Sequence, residues 1–554
     1  MTDRNPNQEE SDSVAAAQNN PQKQAAHPWY DHAIFYQVYP LSFKDSDGNG
    51  RGDLRGLISK IDYLAWLGIT AIWLSPVNVS SMKDFGYDVV DYCAIDPQFG
   101  TLADFDELIE KLHEKDIRII IDFVVNHTSS DHPWFLESKS SRDNPKRDWY
   151  IWHDPAPGGG PPNNWRNVSL GSAAWTLDET TGQYYFHQFL RHQPDLNWRN
   201  PEVAAEMKKV LEFWLKRGVD GFRVDALEHV FEAEHFKDEP ASHYQNTNPT
   251  VNAGYAGLDH IYTRNLPETK NLVQFLSDIA AEHADAFMTA EMYGPPEKLA
   301  AFYEMSPRKN VAPFNYCLRE VPWGPKTTKE VVDDFEKRVS SEKVKLYSIA
   351  NHDVPRIATT VGPAHARIAA MLLLTLPGSP FLYYGDELGL KNVSIQAGET
   401  QDTFDFGTFS RDEVRTPMPW DKSMGVGFTV GTPWLPFNAD FETVNVESEK
   451  QDSCSMLSLY RALIELRKQT PALAYGSYRS LKTASKDLFA FVREYEDEAY
   501  VIVLNFSSET IIEDLEGSKY EVLCSTLMDR ESDYKITGNV TVRPHEGLLL
   551  KLIK

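Results

Sequence analysis

Charged and imidazole side chains follow apolar runs at four places in this chain. The four stretches are Asp-Phe-Val-Val-Asn-His at 122–127, Gly-Phe-Arg-Val-Asp-Ala at 221–226, Ala-Glu at 290–291 and Asn-His-Asp at 351–353. In the last three, the acid stands where a buried strand would emerge into a loop. Acids at the ends of several parallel strands can converge on one site. Three carboxylates, one arginine and two histidines match what glycosidic bond cleavage requires: a nucleophile, a proton donor and groups that tolerate a developing positive charge.

Each stretch taken alone has a simpler explanation. An Arg-x-Asp pair at a strand end, here Arg223 and Asp225, is usually a structural ion pair. A His-Asp pair, here His352 and Asp353, is usually part of a turn or a cap. The joint occurrence of all four stretches, in this order, is what favours a catalytic interpretation.

Strand-like and helix-like runs alternate from residue 33 onward, which predicts a parallel sheet. The eight predicted strands span residues 34–39, 71–74, 118–125, 222–224, 287–290, 311–316, 346–350 and 381–384. Helical periodicity over 54–67, 102–115 and 201–217 separates the early strands, and Asn200 and Gly218 mark the ends of the third helix. Eight such units predict an α/β fold, a closed (β/α)8 TIM barrel.

Two regions interrupt this alternation. Residues 128–193 are rich in Trp, Pro, Gly and Asn, and they are too many for an ordinary βα loop, so they predict a small domain inserted after strand three. Short alternating strands such as 488–492 and 500–504 predict a C-terminal all-β domain. The predicted division is a disordered polar tail at 1–27, barrel segments at 28–127 and 194–470, an inserted domain at 128–193 and the β domain at 471–554.

The overall composition argues against several classes of partner. The 554 residues include 55 basic and 81 acidic side chains, a net charge of −26, so we expect no binding to nucleic acid or to an anionic membrane. No apolar run is long enough to span a bilayer. The four cysteines lack the spacing of a metal site or a disulfide framework, so the simplest expectation is a reducing, cytoplasmic location. An extracellular location is the alternative if a signal peptide has been replaced.

The four stretches, on a barrel inferred from other residues, resemble the α-amylase superfamily, glycoside hydrolase family 13. The α-glucosidase and oligo-1,6-glucosidase branch is the most similar. The resemblance runs from Trp29 to the C terminus and includes three further motifs. These are Phe-Gly-Tyr-Asp at 85–88, Ser-Arg-Asp at 410–412 and Arg-Thr-Pro-Met at 415–418.

The resemblance implies a role for each motif residue. Asp225 would be the nucleophile, Glu291 the general acid and base, and Asp353 the third acid, which binds sugar hydroxyls and favours the distorted ring. Arg223 would keep Asp225 ionised from the same strand face. The other implied substrate contacts are Tyr87 stacked on the sugar, the histidines His127 and His352, and an ion pair between Asp88 and Arg411 that closes the pocket. Tyr87 alone is also compatible with ordinary core packing.

An oxygen-rich loop after the first strand predicts a metal site. In Asp-Ser-Asp-Gly-Asn-Gly-Arg-Gly-Asp at 45–53, oxygen ligands stand at every second position and glycines permit tight turns, which suits Ca2+ before Mg2+. A polar loop or an accidental partial EF-hand is the alternative, because Gly56 stands where an EF-hand has its closing glutamate. Since members of the family carry calcium here, the resemblance implies a structural Ca2+ bound by Asp45, Asp47, Asn49, the Arg51 carbonyl and Asp53.

Two positions bear on where the chain falls within the family. Pro419 replaces the Gln that usually follows the Arg-Thr-Pro-Met motif, which leaves the shape of the last barrel loop open. Ala226 follows the nucleophile, and in this branch alanine there accompanies a preference for α-1,4 linkages, whereas valine accompanies α-1,6.

The sequence therefore predicts a retaining, exo-acting α-glucosidase, a monomer or homodimer that acts on small α-glucosides. Maltose, short malto-oligosaccharides and sucrose are the candidate substrates. A sucrose or trehalose isomerase or a transglucosylase of the same family is the alternative, because it shares every catalytic residue. A remoter alternative is the non-catalytic heavy chain of an amino-acid transporter, which has a membrane helix and has lost catalytic acids. This sequence shows neither feature.

Overall fold

A computed structural model describes most of the chain. The described residues are 27–243, 251–283, 285–306, 308–396, 398–404, 409–515, 519–530 and 534–553. Apart from His27, the predicted polar tail lies outside them. None of the helices in these ranges is both long and apolar enough to cross a membrane.

Eight parallel strands form a barrel. They are β1 (Phe35–Val38), β2 (Ala71–Leu74), β3 (Arg118–Val124), β4 (Gly221–Asp225), β5 (Phe287–Ala290), β6 (Val311–Pro313), β7 (Leu346–Ser348) and β8 (Ser379–Tyr383). Their spatial order is β6-β5-β4-β3-β2-β1-β8-β7. The Ser348 N–H donates to the Asn315 carbonyl over 3.1 Å, which joins β7 to the segment just after β6. The predicted (β/α)8 barrel is confirmed.

Strand β6 is shorter than its apolar run predicted. It ends at Pro313 instead of residue 316. The Asn315 side-chain oxygen accepts the Cys317 N–H over 2.9 Å and turns the chain into the short helix Cys317–Glu320. The residues after β6 therefore face the end of the barrel where the predicted acids emerge.

Helices surround the barrel and fill its connections. They span Pro40–Phe43, Leu54–Ile58, Ile61–Leu67, Leu102–His113, Pro133–Ser140, Pro201–Arg217, Ala253–Ala256, Thr269–Glu282, Pro296–Tyr303, Cys317–Glu320, Pro325–Arg338, Ile357–Thr360, Pro363–Thr375, Val446–Gln451, Met456–Gln469 and Pro471–Tyr475. The helix predicted over 54–67 is two helices, because the Ser59 hydroxyl donates to the Gly56 carbonyl over 2.6 Å and competes with the helical backbone bonds.

The helix Pro201–Arg217 shows how local sequence places β4. The Asn200 side chain caps its first turn by accepting the Glu202 N–H over 2.9 Å. Gly218 ends it in the left-handed region at φ 108°, where a side chain would be strained. The chain then enters β4 within three residues, so the end of this helix fixes where Arg223 and Asp225 lie.

The insertion after β3 contains a small antiparallel sheet. Its strands are ordered Trp152–His153, Gln183–Phe186 and Trp175–Asp178. They pack on a separate aromatic cluster that includes Trp165. An isolated bridge between His127 and Asp195 ties this insertion to the end of β3.

The C-terminal part is all β, as predicted. One antiparallel sheet is ordered Ser477–Ser480, Leu488–Tyr495, Glu498–Asn505, Gly547–Leu552, Lys519–Ser525 and Lys535–Thr537. A two-stranded sheet pairs Ile511–Glu513 with Val540–Val542. The inner face has its own apolar core, which includes Val503, Val522 and Leu548. A second two-stranded pair, Asn78–Ser80 with Val89–Ile95, lies in the loop after β2.

Candidate active site

The three predicted acids meet at the C-terminal end of the barrel. Asp225 is the last residue of β4, Glu291 follows β5 directly, and Asp353 lies in the loop after β7. All three line one cavity of about 510 Å3. The same cavity is lined by four of the predicted substrate contacts, Tyr87, His127, His352 and Arg411.

Arg223 lies beneath the acids and is fully buried. Its Nη1 donates to Asp225 Oδ1 over 2.5 Å and to Asp122 Oδ1 over 2.7 Å. Its Nη2 lies 2.7 Å from Glu291 Oε1. The other oxygen of Asp225 makes no hydrogen bond to any residue that the structure describes, so it is free to meet a ligand.

One guanidinium thus serves three carboxyl groups. Burial raises the pKa of Asp225 well above its usual range; Arg223 opposes this, while the neighbouring Glu291 and Asp122 add to it. Burial likewise raises the pKa of Asp122 to about 6. Arg223 lowers the pKa of Asp225 against these effects, and the expectation that it keeps Asp225 ionised stays a prediction.

Tyr87 and His352 form one packed unit on the cavity wall. Their rings stack with centroids 5.4 Å apart and planes 4° from parallel, and the Tyr87 hydroxyl lies 2.8 Å from His352 Nε2. Gln37 Nε2 lies 2.7 Å from His352 Nδ1, which fits an amide donating to that nitrogen. Burial holds the pKa of His352 well below its usual range, so this ring is neutral. The ring of Tyr87 is thereby fixed in orientation.

The surroundings of Asp353 lower its pKa, whereas those of Asp225 raise its pKa. Arg415 Nη2 donates to its Oδ1 over 2.8 Å, and Arg411 Nη1 approaches the same oxygen at 3.4 Å. Burial would raise the pKa of Asp353, but Arg415 and Arg411 outweigh it and hold the pKa well below the usual range. Asp353 is a stable carboxylate, able to accept hydrogen bonds from a ligand.

The predicted ion pair between Asp88 and Arg411 is wrong. Arg411 Nη2 donates to Asp84 Oδ1 over 2.8 Å and to Asp402 Oδ1 over 2.6 Å. The Asp88 carboxylate instead accepts the Ser80 hydroxyl over 2.8 Å and two backbone N–H groups of its own turn, and it is fully buried. Asp84 lines the cavity and takes the position assigned to Asp88.

Several site residues were missed from the sequence. Asp84 directly precedes the Phe-Gly-Tyr-Asp motif, and Asp122 opens the stretch at 122–127, from which only His127 was assigned a role. Tyr293 follows Glu291 by two residues and its hydroxyl donates to Glu291 Oε1 over 2.9 Å. Arg415 opens a recognised motif, but Asp402 has no motif of its own, and only the folded chain brings it to Arg411.

His127 contacts the same wall from the end of β3. Its Nε2 lies 3.2 Å from the Tyr87 carbonyl and 3.0 Å from Gln193 Nε2. Burial lowers the pKa of His127 to about 3, so it is neutral at working pH. Gln193 also donates to Asp84 Oδ2 over 2.8 Å, which links the end of the insertion to the site.

The loop after β1 gathers the predicted metal ligands. Carboxylate oxygens of Asp45, Asp47 and Asp53 all lie within 4.8 Å of one another. No lysine or arginine in the described ranges forms an ion pair with these acids. The side-chain oxygen of Asn49 accepts the Arg51 N–H over 2.8 Å, which keeps the turn tight. A cluster of uncompensated oxygen donors suits a hard divalent cation.

Comparison with known proteins agrees with this arrangement. Residues 37–476 match the family described as alpha amylase, catalytic domain. The chain belongs to the α-amylase family of glycoside hydrolases. Among its relatives, an alpha-glucosidase of Culex pipiens is 37% identical over 95% of this chain and 91% of its own length. An oligo-1,6-glucosidase of Bacillus cereus is 35% identical over 95% of this chain and 99% of its own length.

Solved structures of the α-amylase family superpose closely on this chain. A crystal structure of the alpha-glucosyl transfer enzyme XgtA gives a TM-score of 0.87 at 36% identity, covering 95% of this chain and all of that one. The trehalulose synthase MutB of Pseudomonas mesoacidophila gives 0.84 at 32% identity, with the same coverage. The α-glucosidase branch is thus shown, and the protein is a glycoside hydrolase that acts on small sugar substrates. These relatives are named for different linkages and reactions, so similarity to them does not identify the preferred substrate of this protein.

Proposed function

We propose that this protein is a retaining, exo-acting α-glucosidase that removes terminal α-1,4-linked glucose. Asp225 attacks the anomeric carbon through its free oxygen, while Glu291 gives a proton to the departing glycosidic oxygen. The bond from carbon to that oxygen breaks and a glucosyl ester forms on Asp225. Water then attacks the ester, Glu291 takes the water proton, and glucose leaves with its original anomeric configuration.

The observation that carries this proposal is the bridging of Asp225 and Glu291 by one guanidinium. Retaining enzymes place the two carboxyl groups about 5–5.5 Å apart, whereas inverting enzymes leave room for a water between them. Both carboxylates contact terminal nitrogens of Arg223, at 2.5 and 2.7 Å. A rigid planar group between two acids supports the shorter, retaining separation.

Exo action is supported by the charged part of the cavity wall around Arg411. Arg411, Asp84 and Asp402 form an ion network whose side chains are at most 5% exposed. Arg411 and Asp84 nevertheless line the cavity, so they offer charged groups to a sugar inside it. We assign to this pair the binding of the hydroxyl groups at the non-reducing end, the role that the family resemblance implied for Asp88 with Arg411.

A preference for α-1,4 linkages rests on Ala226. This residue lines the cavity next to the nucleophile and its side chain is a single methyl group. Its backbone is left-handed, at φ 49°, where a β-branched residue would be strained. A small residue here leaves room for a 4-linked leaving sugar. We therefore expect maltose and short malto-oligosaccharides to be the best substrates, with sucrose as a further candidate.

We also propose a structural Ca2+ in the loop after β1. Asp45, Asp47 and Asp53 would hold it together with Asn49 and the Arg51 carbonyl, and it would tighten the first βα loop. Asp45 also accepts the Thr429 hydroxyl, so this loop is tied to the segment beyond β8. The cation has no part in the chemical steps, which depend on the acids.

Product analysis with purified protein tests the function. Incubation with maltose, isomaltose, sucrose and trehalose should release glucose, fastest from maltose. Asp225→Asn should lose at least about a thousandfold in turnover because an amide cannot form the glucosyl ester. Conversion of sucrose or trehalose into isomeric disaccharides, or of maltose into longer sugars, would favour an isomerase or a transglucosylase. Full activity in Asp225→Asn would contradict the assignment.

A further inference from the structure

Tyr293 is bound to the proposed acid, yet the mechanism above does not use it. Its hydroxyl donates to Glu291 Oε1 over 2.9 Å, and it lines the cavity. Tyr293 lies two residues after Glu291, in the short turn that follows β5. Its hydroxyl therefore reaches back over its own loop to Glu291. A buried hydroxyl aimed at a catalytic carboxyl affects which oxygen of that carboxyl can carry a proton.

The hydrogen bonds to Glu291 can be counted. A carboxyl group offers about four acceptor positions, two on each oxygen. Oε1 accepts the Tyr293 hydroxyl and forms an ion pair with Arg223 Nη2 at 2.7 Å, so both of its positions face a protein donor. Oε2 receives the Ala226 N–H at 3.2 Å. Three positions are therefore filled by protein donors, and the single open position is on Oε2.

Tyr293 is held firmly enough to enforce this arrangement. Its ring stacks on Tyr316 with centroids 5.0 Å apart and planes 13° from parallel. Its backbone N–H donates to Glu228 Oε1 over 3.1 Å, and its carbonyl accepts Lys298 Nζ over 2.5 Å. Lys298 and Glu228 also pair with each other at 2.7 Å. Ring and backbone are thus fixed independently of the hydroxyl.

We propose that Tyr293 is a positioning residue that confines the transferable proton of Glu291 to Oε2. With both acceptor positions of Oε1 filled, the acid can be protonated only on the oxygen beside Ala226. That proton passes to the glycosidic oxygen as its bond to the anomeric carbon breaks and the Asp225 ester forms. Without the Tyr293 hydroxyl, a proton can rest on Oε1 as well, and the acid is then wrongly protonated for part of the time. This inference rests on the proposed role of Glu291.

Tyr293→Phe tests the inference, because it keeps the ring stack and removes only the hydroxyl. We expect kcat/KM for maltose to fall about tenfold, as for the loss of one hydrogen bond to an ionisable group. For 2,4-dinitrophenyl α-glucoside, whose leaving group needs no proton, the change should be less than about twofold.

Tyr303→Phe is the matched control. Tyr303 is buried and donates to the Val344 carbonyl over 2.7 Å, away from the cavity. It should lower the melting temperature without changing the ratio of the two substrates. Tyr293→Leu, which removes the ring too, should repeat the substrate pattern with a larger loss of stability.

The outcomes separate this inference from the proposed function. Glu291→Gln with full maltose turnover would overturn the function itself. Glu291→Gln without turnover, combined with Tyr293→Phe that affects both substrates equally or neither, would overturn only the role of Tyr293.

Discussion

Asp225 and Glu291 are held by opposite nitrogens of the same guanidinium, that of Arg223, at 2.5 and 2.7 Å. The two acids come from adjacent strands, β4 and β5, whose register pairs Val224 with Ala290. Since Arg223 points to the same face as Asp225, the strand itself places the bridge between them. The separation of the catalytic pair is thus set by backbone pairing and a rigid side chain, and a loop movement cannot easily change it.

The corrected partner of Arg411 gives the first prediction. Asp84→Asn should lower kcat/KM for maltose by roughly 10- to 100-fold, because it removes a buried charged acceptor from the cavity wall. Asp88→Asn should change kcat/KM by less than about threefold and mainly reduce the melting temperature, because among the described residues Asp88 bonds only to the Ser80 hydroxyl and to two nearby backbone N–H groups. Steady-state kinetics of the two variants side by side decide the point. A larger kinetic loss in Asp88→Asn would restore the original assignment.

That correction shows what sequence could and could not provide. The eight strands follow from apolar runs, and the acids at their ends follow from where those runs stop. The stretch 84–88 contains two acids, and sequence alone does not say which one reaches Arg411. The choice depends on a tight turn, in which Gly86 has a φ of 108° and the Asp88 carboxylate accepts the backbone N–H groups of residues 83 and 84. Asp402 could not be predicted as a site residue from the sequence because no local pattern marks it.

Linkage preference should respond to Ala226. Ala226→Val should raise the ratio of isomaltose to maltose kcat/KM several-fold, since one or two added methyl groups in a pocket are worth about 1–3 kcal/mol. Because Ala226 is left-handed, valine should also cost about 1–3 kcal/mol of stability. Ala226→Gly is the control, and it should keep the maltose preference without the strain. Wild-type protein that prefers isomaltose would disprove the α-1,4 assignment.

Removal of divalent ions should destabilise the fold more than it slows the chemistry. A ligand that binds only the folded state raises the melting temperature by mass action, so a chelator should lower it. Asp47→Ala is the sharpest variant, because Asp47 is exposed and, among the residues that the structure describes, its carboxylate bonds only to Asn49. This variant should match chelated wild type and should no longer respond to added calcium. Identical melting with and without chelator, and no metal by elemental analysis, would count against the site.

Stability should fall between about pH 4.5 and pH 8 because of Glu449. Burial raises its pKa to about 8, above its value in the unfolded chain, so its contribution is complete at low pH and is lost as pH rises through 8. The slope should not exceed about 1.4 kcal/mol per pH unit. Glu449→Gln keeps an acceptor for the Leu457 N–H and should flatten urea unfolding between pH 6 and 9. Glu447→Gln, at an exposed neighbouring position, is the control and should leave the dependence of the unfolding free energy on pH unchanged. Equal pH dependence in wild type, Glu449→Gln and Glu447→Gln would show that Glu449 is not the cause.

The central claim is retention through an ester on Asp225, and the anomer released first tests it most directly. Proton NMR of maltose hydrolysis, recorded before mutarotation of the products, should show the newly released non-reducing glucose as the α anomer. Double displacement inverts the anomeric carbon twice, so the α configuration of the substrate is kept. Initial release of β-glucose would mean a single displacement by water, and it would contradict both the role of Asp225 and the significance of the Arg223 bridge.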